Sequence, residues 1–407
     1  MRALTVLFVL SWAAAGYSQE TPTKKETPTQ TSFEHCLQQL QTEALAMDVP
    51  ANIVSAVLDN IEPIERVLAS DRSQPEFVKT FPEYFGARVN QQRIAKGRAL
   101  LAEHSQWLKT LEQRSGVPSH YLLALWGLET NFGGYFGKLS IPAALTTLAC
   151  DSRRADFFKG ELLAVLQIIA SGDMNQTQLI GSWAGAIGHM QFMPTTFLAH
   201  AIDGDADGKR DLMNRNDALA SGANYLQELG WETGYRWGRE VLLPANFDYS
   251  TTGSDQWQSL DRWRELGVTT AFGGKLPRAS LEAAVLLPAG HTGPAFLVYP
   301  NYKIILNWNR SHFYALSVGR LADRIAGAAA LQRSMPAPES IALSSKRVEA
   351  LQNQLNELGF PAGKPDGVFG SGTSSAVRKA QASYGLLADG YPTDALFTAL
   401  MEAQNPK

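Results

Sequence analysis

The stretch PSHYLLALWGLETNFG, residues 118–133, reads as a helix that carries one carboxylate on a face otherwise built to be buried. Ser119 behind Pro118 offers an N-cap and Gly133 a stop, so the predicted helix covers 119–131. At helical spacing Leu122, Leu125, Trp126 and Glu129 share one side. Glu129 also stands near the C-terminal, partially negative end, so desolvation and the helix dipole both push its pKa upward. A carboxylic acid that keeps its proton near neutral pH is what a general acid requires. The other reading is a buried structural glutamate, satisfied by hydrogen bonds or reaching water at the helix edge, and spacing alone does not choose.

Outward from this helix the pattern stays helical. Further helices are predicted over 90–114, 155–171, 216–229 closed by Gly230, and 313–328. Residues 241–302 carry Pro, Gly and short apolar runs and suit a small sheet. The expected fold class is therefore mainly α, of α+β type. After a Pro-containing stretch at 332–345, a tail at 346–407 reads as a compact three-helix module. Its first helix, begun by Ser345, places Val348, Leu351, Leu355 and Leu358 on one face. Thr373 and Thr393 cap the other two, with Ala376, Val377, Ala380 and then Leu396, Phe397 and Leu400 inward.

Composition narrows the classes. The 407 residues are 45% apolar, with 34 Gly and 20 Pro, which excludes collagen-like and wholly disordered chains. With 36 Lys and Arg against 39 Asp and Glu, no basic excess points to nucleic acid or an anionic membrane surface. Residues 1–18, with Arg2, an apolar run over 3–15 and small residues Gly16 and Ser18, have the pattern of a cleaved secretory signal. The run falls short of the roughly 20 residues a membrane span needs. Residues 19–32, rich in Thr, Pro and Lys, read as a flexible tether ahead of a body at 33–331. A soluble, exported mature protein is expected, with monomer as the default.

Three further constellations offer chemistry. GSWAGAIGHMQFMP, 181–194, sets Ser182, His189 and Gln191 among aromatic and apolar residues on a glycine-rich backbone, which suits either a sugar contact or a tight packing loop. DGDADGKRDLMN, 203–214, matches a calcium loop at Asp203, Asp205, Asp207, the Lys209 carbonyl and Asp211. Its twelfth position is Asn214 instead of a bidentate Glu, and a turn of self-bonding Asp side chains is the alternative. Cys36 and Cys150 form either one disulfide in an oxidising compartment or two buried thiols. No H-x-x-x-H pair and no G-x-S-x-G elbow is present, so zinc hydrolysis and Ser–His–Asp catalysis lack support.

Taken together, ALWGLETNFG, LTTLACDSRRADFFKGEL, GSWAGAIGHMQFMPTTF, the Asp-rich loop with DALASGANYL, and NWNRSHFYALSVGRLADRI resemble the B-type lytic murein transglycosylases over residues 33–327. VEALQNQLNELGF, PDGVFGSGTSSAVRKAQ and TDALFTAL resemble the three-helix peptidoglycan-binding module. The resemblance implies a lysozyme-like helical body acting on peptidoglycan glycan strands in the periplasm, held on the wall by the tail. It implies Glu129 as sole acid and base, cutting the β-1,4 bond from N-acetylmuramic acid to N-acetylglucosamine and leaving a 1,6-anhydro end. Ser182 and Gln191 match sugar-contacting groups, Tyr225 a ring lining the cleft, and Asn309 a polar cleft residue. Trp308 stands where relatives can carry Tyr, and Tyr84 matches the cleft although Pro82 replaces a common aromatic. No cofactor is required on this reading, and the Asp-rich loop corresponds to a structural calcium site. A hydrolytic muramidase with the same Glu, or a non-catalytic wall-binding scaffold, are the alternatives.

Overall fold

In the computed structural model, which describes residues 30–73, 79–336 and 344–404, the Ser119–Thr130 helix is buried on every side. Such a helix belongs at the centre of a large domain. The helices Gln91–Glu103, Ser105–Ser115, Arg215–Glu228 and His312–Ile325 pack around it. A second group, Ile141–Ala149, Ala155–Ser171 and Pro194–His200, stacks beyond. The expected signal at 1–18, most of the 19–32 tether and residues 337–343 of the linker lie outside the described residues. Among the described residues no helix is long and apolar enough to cross a membrane.

The ends of the central helix differ from the predicted ones. Pro118 holds the cap position, and Ser119 is the first helical residue. Its hydroxyl lies within hydrogen-bond distance of both the Leu108 carbonyl and the Glu112 carboxylate, while Glu112 Oε2 accepts the Ser119 backbone N–H at 3.0 Å. A carboxylate from the preceding helix thus does the capping. At the other end Asn131, at φ 52°, stops the helix two residues before Gly133. The single helix predicted over 90–114 is two, broken at His104, whose ring meets Arg215 Nη1 at 2.7 Å.

The small sheet expected within 241–302 is a five-stranded antiparallel one, in the order Gln258–Ser259, Glu282–Leu286, Ala295–Val298, Gly238–Leu242, Thr269–Thr270. Alternation along its central strands serves two cores. Ala284, Leu286, Phe296 and Val298 face the helical body, while Ala283, Val285, Ala295 and Leu297 face a second cluster built around Val241, Phe247 and Trp263.

The tail is three helices, Ser345–Glu357, Ser371–Ser383 and Asp394–Gln404, around Leu351, Leu355, Ala376, Val377, Ala380, Leu396 and Leu400. Thr373 lies inside its helix and not at the cap, which Gly370 occupies, because its hydroxyl accepts from Gln352 Nε2 at 3.0 Å. Two polar clamps hold the tail to the body. Arg378 and Ser375 bind the Asp255 carboxylate, and Asp389 accepts the His291 backbone N–H at 3.0 Å and lies 2.8 Å from its ring.

A disulfide joins Cys36, in the Gln30–Ala46 helix, to Cys150, which ends the Ile141–Ala149 helix, across 114 residues. Closing so long a loop restricts the unfolded chain. Replacing both residues by Ser is expected to lower the unfolding free energy by about 2–4 kcal/mol, seen as a lower denaturant midpoint at unchanged slope. Equal midpoints would show that the link carries no stability.

Candidate active site

Glu129 is the penultimate residue of the central helix and is half-buried. Beyond it Asn131, Phe132 and Gly133 run left-handed at φ 52°, 58° and 74°, which turns Phe132 back onto Trp126 with ring centroids 5.6 Å apart. Lys96 donates to the Asn131 carbonyl at 3.2 Å, a cation at the helix C-terminus. The carboxylate accepts Trp308 Nε1–H at 3.0 Å and the Tyr314 hydroxyl, both on Oε1. Burial, then the Glu129 charge, pushes the Tyr314 phenol well above its ordinary range, so it stays neutral and keeps its proton.

The glycine-rich loop docks on this helix through His189. Its Nδ1 accepts Trp126 Nε1–H at 2.9 Å, its carbonyl accepts the Thr130 hydroxyl at 2.9 Å, and its N–H donates to the Leu212 carbonyl. Gly133 lets the two approach, since a Cβ there would stand 2.5 Å from His189 Cε1. Burial lowers the His189 pKa to about 4, helped by Arg215, so the ring is neutral and can accept. Within the loop Ser182 Oγ accepts the Ala186 N–H at 3.0 Å, and Gln191, itself at φ 50°, donates to the Gly188 carbonyl at 2.8 Å. Both side chains brace the loop.

Aromatic rings gather around Trp308, the indole that donates to Glu129. Trp308 lies 5.4 Å from both Phe192 and Tyr225, and these two are 5.5 Å apart. His200 backs Tyr225 at 4.6 Å and pairs with Glu228. Glu129, Trp308, Tyr225 and the loop end bearing Gln191 are thus brought together. Tyr84 and Asn309 line a cavity of about 310 Å³ shared with tail residues Val348, Phe369 and Tyr391, and Tyr84 also acts electrostatically on Tyr314, the phenol that donates to Glu129. Asn309 Oδ1 caps Ser311 N–H at 3.0 Å, and Tyr84 packs on Phe313 at 6.0 Å. Sequence reasoning gave no role at the site to Tyr314, Thr130 or Phe192, and placed Trp126 only on the buried face of the helix. The first stands six residues after Trp308, across the junction of the Pro300–Trp308 and His312–Ile325 helices.

The Asp-rich loop gathers a donor set different from the predicted one. Asp203, Asp205, Asp207 and Asp217 place one carboxylate oxygen each within 4.8 Å of one another. Asp211 is turned away, accepting from Gln178 Nε2 and the Met213 N–H. Asn214 caps the Arg215–Glu228 helix and donates to Asp205. Buried Asp217, three residues beyond the motif, fills the place: it receives the N–H groups of Gly204, Asp205 and Asp211, and burial pushes its pKa up.

Two family models match the chain. One, described as a transglycosylase SLT domain, matches residues 32–323, and the other, a putative peptidoglycan binding domain, matches residues 344–400. The membrane-bound lytic murein transglycosylase B of Escherichia coli (strain K12) is 28% identical over 294 residues, which is 71% of this chain and 78% of that protein. SltB3 of Pseudomonas aeruginosa, solved in complex with NAG-anhNAM-pentapeptide, is 41% identical with a TM-score of 0.86, covering 91% of this chain and 99% of that one. The Escherichia coli lytic transglycosylase SLT35, in complex with calcium, is 26% identical with a TM-score of 0.63, over 72% of this chain and 92% of that one.

The neutral His189 carries a pH signature. Between its ordinary value of 6.5 and about 4 the unfolded chain binds a proton that the folded chain does not, so stability falls as pH falls through that window. His189→Gln is expected to melt below the parent at pH 7, with the gap narrowing toward pH 4. A gap independent of pH would show that the ring does not titrate in this window.

Proposed function

The chain belongs to the transglycosylase SLT domain family and is a peptidoglycan lytic transglycosylase, and we propose that Glu129 is its single general acid and base. The observation that carries this assignment is the position of Glu129 at the end of a buried helix, its carboxylate accepting from two ring donors, one of which, Trp308, packs against Phe192 and Tyr225. On this reading protonated Glu129 gives its proton to the oxygen that links N-acetylmuramic acid to N-acetylglucosamine. The C1–O bond breaks with its electron pair on the leaving oxygen, and the substrate's own N-acetyl oxygen bonds to C1. The carboxylate then removes the C6 hydroxyl proton while O6 bonds to C1 and the acetyl oxygen leaves. Glu129 ends protonated, and no water is consumed. The anhydro sugar named in the SltB3 complex supports this product.

Tyr225 and Trp308 would present rings to the sugar, with Gln191 and Ser182 shaping the loop that borders it. Tyr84 and Asn309 would meet the glycan farther along, where body and tail meet. The tail at 346–407 would hold the wall, joined through 332–345 to a catalytic body at 33–331. A signal at 1–18 and a tether at 19–32 would place the enzyme in the periplasm. The four carboxylates Asp203, Asp205, Asp207 and Asp217 fit calcium, a hard cation that takes oxygen donors, and it would steady the loop that abuts the Arg215–Glu228 helix.

Digestion of purified peptidoglycan by the mature protein is expected to release muropeptides one water lighter than hydrolytic products, and Glu129→Gln to lower the rate by about 10³-fold. Ordinary reducing ends would make the enzyme a muramidase, and turnover surviving the substitution would remove Glu129 from its role. Calcium is expected to raise the melting temperature of the parent but not of Asp217→Asn. Identical melting with calcium and with chelator would leave the loop a self-bonded turn.

A further inference from the structure

The cavity where body and tail meet carries an unbalanced charge. Lys79 and Arg310 of the body and Arg378 and Asp389 of the tail line it. The two tail groups are committed to the clamps: Arg378 pairs with Asp255, and Asp389 accepts from the His291 N–H, Gln381 Nε2 and the Tyr391 N–H. His312, also in the wall, has its pKa pushed down by burial and bonds Tyr302 at 2.7 Å, so it adds no charge. Lys79 and Arg310 are exposed, and among the described residues neither enters an ion pair. Lys79 acts on the Glu83 carboxylate only at longer range, and that carboxylate is occupied in capping Thr80. A third cation without an ion pair, half-buried Arg88, stacks 5.2 Å from the centroid of Tyr84, whose ring is part of the cavity wall. Between these cations the walls are apolar, formed by Phe81, Phe313 and Leu316 of the body and Val348 and Phe369 of the tail.

Two links join this cavity to Glu129. Asn309 follows Trp308, which donates to the carboxylate, and both Arg88 and Tyr84 act electrostatically on Tyr314, the other donor. A sugar seated beside Glu129 therefore has the cavity within reach of its substituents. In peptidoglycan the large substituent is the stem peptide, amide-linked to the lactyl group of N-acetylmuramic acid. It carries free carboxylates several residues out from the ring, together with alanyl methyl groups. Cations on an apolar wall match that pattern, because carboxylates take charge-assisted hydrogen bonds from Lys and Arg while methyl groups bury against the rings.

We propose that the body–tail cavity is a stem-peptide subsite, in which Lys79, Arg310 and Arg88 receive the peptide carboxylates, so that the enzyme favours peptide-bearing over bare glycan. This rests on the reacting sugars lying beside Glu129. It gives the tail a part in substrate choice, since Val348 and Phe369 complete the wall.

The test measures kcat/KM of the full chain on defined glycan oligosaccharides of equal length, with stem peptides, without them, and with the peptide carboxylates amidated. The parent is expected to prefer the peptide-bearing strand, and Lys79→Ala combined with Arg310→Ala to lower that preference about fivefold, through KM. Both positions are exposed, so the fold should survive the double substitution. Lys79→Arg with Arg310→Lys, which keeps both charges, should restore most of the preference, and raised salt should weaken it in the parent. Amidated peptides should reproduce the loss in the parent. A preference absent from the parent, or one unmoved by both the double substitution and amidation, would overturn the subsite. Glu129→Gln, run on the same strands, separates the two claims: retained turnover would overturn the acid assignment, whereas its inactivity beside an unmoved preference would overturn the peptide subsite alone.

Discussion

The whole body depends on burying one helix on every side. Ser119–Thr130 has no solvated face on which to spread error, so the polar groups at its two ends need partners supplied by other elements. Glu112 supplies the N-terminal partner, and Lys96 with the left-handed run of Asn131, Phe132 and Gly133 supplies the C-terminal one. That tight exit leaves Glu129 half-buried, one residue before the end of the helix. Thr130, the next residue, ties the glycine-rich loop to the helix through the His189 carbonyl. One backbone event therefore sets both Glu129 and the loop beside it.

Local signals made much of this legible. The Ala155–Ser171 helix has the predicted bounds because its end is marked by Gly172 in left-handed conformation. The break at His104 has no such mark, since no Gly or Pro stands there; it coincides with a contact to Arg215, 111 residues later. The same division holds at the site. Glu129 could be picked from its own helix, but its ring donors come from 179 and 185 residues downstream, and no periodicity records that meeting. The Asp-rich loop fails in the opposite way. A spacing rule fixes a donor at position twelve, whereas here that residue caps a helix, and the first turn of that helix returns Asp217 to the loop instead.

The sheet shows why residues 241–302 were hard to resolve further. Its central strands are buried on both faces, so their sequence lacks the apolar–polar alternation that distinguishes a half-exposed strand. What alternates is the core each residue enters, and only the assembled fold distinguishes one core from the other.

The Cys36–Cys150 link encloses a segment that includes the central helix with Glu129 and runs on through the Ile141–Ala149 helix. A single backbone cut by a protease anywhere between those two positions therefore opens the chain without releasing a fragment. The severed pieces remain covalently joined, and their reassembly is an intramolecular event at an effective concentration that dilution cannot reduce. The cross-link thus converts a scission that would separate Glu129 from its ring donors into a nick.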